Sequence, residues 1–253
     1  VPLGRNTGGG SGGFALHNLF SNSMVLQAES PTLFGSCDAG ATLHATLGKT
    51  TNSAPCTSAG NWTISFPPQP ASDPKIGAGL DIIVTHQQQG NQLAESVTLS
   101  DVLLGDVWVC GGQSNMEFSV AEAFGYDGEV GGLIPAAARD GLRLFAVQKN
   151  ASSTPVDRVI DTQYAHGWVR STPQTACGAE YRNNGYNPPS NTSAYCAPHC
   201  GPSAVVKSFA RATWGYFSAV CWVTGAALLR DTGRPQGMLE SCWGGTNIES
   251  WTP

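Results

Sequence analysis

Residues 102–110, VLLGDVWVC, form an almost unbroken apolar run that ends against two glycines and then Gln113, Ser114, Asn115 and Met116. Such a run predicts a strand covered on both faces, because a half-exposed strand would alternate apolar and polar residues. Strands of this kind belong to parallel sheets flanked by helices, which draws the second half of the chain towards an α/β architecture. Gly111 and Gly112 allow a sharp turn and close approach of another molecule, and a helix-like segment follows. Ser114 therefore stands where α/β sheets bind ligands. Its own N–H and the start of the helix favour developing negative charge, which suits a nucleophile attacking an acyl carbon. Helix capping is the plainer role for the same serine, and the corner alone leaves the two open. The G-x-S-x-G elbow does not fit, because the position two after Ser114 is Met116.

Two later segments, LRLFAVQ (142–148) and PQGMLESCW (235–243), have the same strand character. Between them Val205, Phe209, Ala212, Tyr216, Ala219 and Val223 recur at helical spacing, and DTG followed by RP forms a stop signal. Strand, helix and strand in that order predict a parallel α/β sheet over 101–253. Residues 172–202 interrupt it as a polar insertion, whose Cys177, Cys196 and Cys200 are expected to staple it internally or to a neighbour. Residues 14–100 differ: MVLQ, TLFG, TLHATLG, NWTISF, LDIIVTH and SVTLS are short strand-like runs divided by turn residues. Spacing near ten residues predicts a small β-sandwich or jelly-roll-like domain. Cys37 and Cys56 sit on two of these segments and suit a local disulfide. Residues 1–13, with NTGGGSGG, read as a flexible leader.

Composition narrows the partners. Net charge is −5 and no Lys/Arg cluster occurs, which disfavours nucleic acid and anionic membranes. No apolar run approaches the roughly 18–20 residues of a membrane span. Eight cysteines and sequons at Asn61, Asn150 and Asn191 predict a glycoprotein of the secretory pathway, secreted or lysosomal. The start at Val1 fits a processed mature end. A zinc site at CAPHC (196–200) is disfavoured, because its ligands are crowded and no second Cys/His pair completes a tetrahedron.

GQSNM after LLGDVW, together with SCWGGTNIESW, resembles the sialate O-acetylesterase group of the SGNH hydrolases. FALHNLFSNSMVLQAESPTLFG is similar to the opening segment of that family, and YFSAVCWVTGAALLRDTGRPQGML to its helix-then-strand segment. The resemblance implies that Ser114 attacks an acetyl ester on a sugar, without metal or organic cofactor. It implies that the N–H groups of Ser114 and Gly245 bind the oxyanion, with Gly244 in the oxyanion loop. Gln113 and Asn115 would orient the loop or touch substrate, and Glu249 and Trp251 would support the turn or line the pocket. The family's Gln-Gly-Glu and Asp-x-x-His blocks have no match in this sequence.

None of His17, His44, His86, His166 and His199 has an aspartate three residues before it. The first three are expected on the surface of the β-domain and the other two in loops. A serine without a base is almost wholly protonated and a poor nucleophile. The expectation is a processed enzyme in which a second polypeptide carries the Asp-x-x-His block. A non-catalytic glycan-binding or structural glycoprotein that keeps the fold is the alternative; a serine peptidase is disfavoured. Cys221 reads as a buried free thiol. Cys110 and Cys242, at the ends of two strands, could pair together, stay reduced or bond to the second chain.

Overall fold

The structure is a computed structural model that describes residues 13–74, 79–87, 95–118, 141–150 and 217–251, with 152–154, 156, 158, 159, 162, 164, 167–172 and 175 between them. The leader through residue 12, Cys177, Cys196, Cys200, Asn191, His166, His199 and the helical positions 205–216 lie outside the described residues. The fold is mixed α/β, mostly strands with few helices.

The N-terminal strands are β1 (Phe14–Leu16), β2 (Val25–Gln27), β3 (Thr32–Cys37), β4 (Thr42–Leu47), β5 (Thr50–Pro55), β6 (Asn61–Ser65) and β7 (Leu80–Gln87). Alternation decides their faces: Leu43, Ala45 and Leu47 of β4 and Trp62 and Ile64 of β6 point inwards, while their neighbours face out. Strands β1, β3 and β6 form one antiparallel sheet, and β5, β4 and β7 begin a second. Leu33, Trp62 and Ile64 of the first meet Leu43, Ile82 and Val84 of the second in one core. Each such side chain contributes roughly 1.5–3 kcal/mol when removed from water. The run TTNSAP, rich in turn formers, proves to be the edge strand β5. Its pairing with β4 across a two-residue loop compensates for poor strand propensity, and Pro55 is tolerated at its end. Cys37 and Cys56 form the expected disulfide.

One strand, β8 (Glu95–Gly112), joins this layer to the rest. Residues 95–102 pair antiparallel with β7, residues 103–105 parallel with β2, and residues 106–112 parallel with β11 (Gln236–Cys242). A register shift and the positive φ of Asp101 (61°) mark the changeover. Asp101 accepts hydrogen bonds from Ser23 Oγ (2.7 Å) and from the guanidinium groups of Arg143 and Arg170. Partial burial would raise its carboxyl, but Ser23 and the two arginines hold it below the ordinary value.

Beyond this junction the expected parallel sheet is present. β9 (Leu142–Ala146) and β8 flank β11, all three parallel, and β10 (Val169–Arg170) adds antiparallel to β9. Helix α2 (Ala219–Thr232) covers one face through Trp222, Gly225, Ala226 and Leu229. The Ser218 side chain accepts from Cys221 N–H at its start, and Gly233 closes the helix where DTG predicts a stop. Of the helical stripe read from sequence, Ala219 is buried and Val223 partly so.

Two expectations are corrected. Cys221 is not a free thiol: it lies in the first turn of α2 over the end of β8 and bonds to Cys110, with Cα atoms 5.9 Å apart. Cys242 is then the free cysteine among the described residues, and it is buried. His86 is not on the surface. It follows Ile82 and Val84 on the inward face of β7, is 4% exposed, and stacks on Phe14.

Candidate active site

Because β8, β11 and β9 are parallel, their carboxyl ends lie at one end of the sheet. Ligands bind α/β sheets at that end. Gly112 and Cys242 are register partners, and Trp243 N–H donates to Gly112 O (2.9 Å), so the two loops begin side by side. Gly112 has φ 155°, and a Cβ there would come within 3.1 Å of Met116 Cβ. The chain then enters the single helical turn α1 (Ser114–Glu117).

Ser114 is partly exposed at the head of this turn. Its Oγ donates to Gln113 Oε1 at 2.6 Å and its N–H donates to the same oxygen at 2.9 Å. One oxygen thus stands within reach of both the hydroxyl and the amide. The Gln113 side chain folds back on the corner, and both Gln113 and Asn115 are exposed.

The second loop runs through Gly244 and Gly245. Gly245 has φ 80°, a conformation that favours glycine, and a Cβ there would meet nothing within 4 Å. A short 3-10 turn (Ile248–Trp251) closes the loop: Trp251 Nε1 donates to Thr246 Oγ1, which donates to Trp243 O. The Trp251 ring also lies against Gly111. These contacts brace the loop, while Glu249 is exposed.

A buried polar cluster underlies both loops. The Glu117 carboxylate, 2% exposed, accepts the N–H of Gly244 through Oε2 and pairs with Lys149 through Oε1. Glu240 accepts from Ser218 N–H (3.0 Å) and from the Cys242 thiol (3.0 Å). Burial pushes Glu240 up to about 7, opposed by these two donors and by the charge of Lys149. Burial and the neighbouring carboxylate push the Cys242 thiol up, so it is an inert hydrogen-bond donor rather than a nucleophile. Burial lowers Lys149, while Cys242 and Glu240 pull it the other way. No local pattern marks Lys149 or Glu240, because their pairing arises from strand order. Glu117 carried a signal: it is one turn from Ser114 in a chain with only 12% charged residues.

The structure therefore brings Ser114, Gln113, Gly244 and Gly245 together at one sheet end. Among the described residues, Ser114 Oγ donates to Gln113 and not to a histidine. His17, His44 and His86 all belong to the N-terminal strands and their connections. Asn61 and Asn150 are exposed. The described residues contain no group of three His, Cys, Asp or Glu able to hold a metal ion. They contain no helix long and apolar enough to cross a membrane.

The architecture is similar to that of a solved carbohydrate acetylesterase from Xanthomonas citri, with a TM-score of 0.64 and 25% identity over 95% of this chain and 42% of that one. In sequence the chain resembles the sialate O-acetylesterases. It is 27% identical over 248 residues to those of Mus musculus and Homo sapiens, covering 95% of this chain. It spans only 38% and 39% of those proteins, about two fifths of their length. No protein-family model matches it.

Proposed function

We propose that this chain carries the nucleophile of a serine esterase that removes O-acetyl groups from sugars, with sialic acids as the substrate class. The observation that carries this reading is the convergence of Ser114 Oγ and Ser114 N–H on one oxygen at the carboxyl end of β8, beside the Gly244–Gly245 loop. A substrate carbonyl oxygen takes the place of Gln113 Oε1 at the amide, and Gly245 N–H adds the second donor. Gln113 and Asn115 border the substrate. The similarity to acetylesterases supplies the acyl group and the sugar.

Ser114 Oγ bonds to the acetyl carbon and the carbon–oxygen bond to the sugar breaks. The serine proton passes through a base to the leaving sugar hydroxyl. Water then adds to the acetyl-enzyme, releases acetate and returns a proton to Ser114. The base in this reading is an Asp-x-x-His segment outside these 253 residues, since none of the five histidines here has the aspartate three positions earlier. The two disulfides among the described residues fit folding in the secretory pathway, with glycans on Asn61, Asn150 and Asn191, and a secreted or lysosomal destination.

The test is acetate release from O-acetylated sialic acid by the native protein and by Ser114→Ala. Loss of at least a thousandfold is expected, in the range seen when a serine nucleophile is removed. Retained activity in the variant sinks the assignment of Ser114. A native mass, repeated after denaturation and reduction, tells whether that segment belongs to the same polypeptide or to a companion chain.

A further inference from the structure

We propose that Glu117 is a positioning residue for this reaction: its carboxylate clamps the Gly244 amide to the nucleophile turn, with Lys149 as counter-charge, and so aims the next amide, Gly245 N–H, at the reacting carbonyl. The inference rests on the reading of Ser114 as nucleophile.

Three parallel strands meet in this clamp. Glu117 follows β8, Lys149 follows β9 and Gly244 follows β11. Each carboxylate oxygen has its own partner, Oε1 the Lys149 ammonium and Oε2 the Gly244 N–H. Glu117 is one helical turn after Ser114 and moves with it, because Glu117 N–H and Phe118 N–H close the turn onto Gln113 O and Ser114 O. A fixed link between the serine turn and the second loop is what an oxyanion site needs, since its donors must be in place before charge develops. Gly245 alone, with an open left-handed conformation, could rotate its amide away.

Stability by itself explains the pair poorly. Burying a carboxylate and an ammonium costs several kcal/mol of desolvation per ion, and well-packed apolar residues of the same volume are often as good or better. A carboxylate is required where a backbone N–H and a cation must be held at once. Apolar residues cannot do that.

The experiment uses the native protein and 4-nitrophenyl acetate, with Ser114→Ala, Glu117→Gln, Lys149→Met and the double variant E117Q/K149M. A carboxamide at position 117 has one oxygen for two donors, so either Gly244 or Lys149 faces an amide NH2. Glu117→Gln should lower kcat by about a hundredfold with KM within about twofold, near the loss seen on removing one oxyanion donor. In the double variant the oxygen is free for Gly244, and most of that loss should be recovered. Thermal midpoints confirm that each variant is folded. If folded Glu117→Gln keeps its kcat, or if the double variant is as slow as or slower than Glu117→Gln, the clamp is structural and the inference falls while Ser114 stands. If Ser114→Ala retains activity, the nucleophile assignment fails and takes this inference with it.

Discussion

Replacing Glu240 by Gln should change how stability depends on pH, and the sign follows from the burial of the carboxyl. In the native protein Glu240 keeps its proton to about pH 7, because burial penalises the ionised form; its ordinary value is 4.5. Between those values the folded state holds a proton that the unfolded state releases. Stability therefore falls as pH rises from about 4.5 to 7, the reverse of a salt-bridged carboxylate. Each tenfold in proton affinity is worth about 1.4 kcal/mol, so the full effect approaches about 3 kcal/mol. Glutamine mimics the protonated acid: its oxygen can accept from Ser218 N–H, and its NH2 can face the Cys242 sulfur. Urea denaturation of both proteins at pH 4.5, 6 and 7.5 measures the difference. Wild type should lose stability relative to Glu240→Gln across that window, by about 1–3 kcal/mol in total. A constant difference between the two proteins, or a wild type that gains on the variant as pH rises, would refute the argument.

Other expectations follow from the packing. Cys110 and Cys221 enclose a loop of 111 residues, so Cys110→Ala with Cys221→Ala should lower stability by about 4–5 kcal/mol in the chain-entropy account, read from denaturant midpoints under non-reducing conditions. A side chain at position 225 has no room, since a Cβ would sit 2.6 Å from Met238 Cγ and 2.9 Å from Leu142 Cδ1. Gly225→Ala should cost roughly 1–3 kcal/mol by pushing α2 off the sheet, visible as a lower thermal midpoint. Leu43, fully buried on β4, should cost about 2–5 kcal/mol as Leu43→Ala with no change in KM for acetyl esters.

The sequence by itself determined the main strands and the corner. VLLGDVWVC, LRLFAVQ and PQGMLESCW are apolar runs of strand length and become part of β8, β9 and β11, but the expected cover on both faces fails at Trp108 and Val109, which are exposed because no described element packs over that stretch of β8. Alternation similarly placed Leu43, Trp62 and Ile64 inwards, and the Cys37–Cys56 disulfide lay within reach of local spacing. Ser114 was legible because glycines, a strand end and a helix start are all local signals. Strand order and pairing partners are not local. β11 inserts between β9 and β8, and only that order brings Lys149, Glu117 and Gly244 to one point. The same order sets Cys221 over Cys110 and leaves Cys242 reduced beside Glu240. TTNSAP became a strand because β4 offered it an edge, and His86 was buried by the face its strand presents. Local propensity is a matter of tenths of a kcal/mol per residue, whereas burial and pairing across the fold amount to several, so tertiary structure decided wherever the two disagreed.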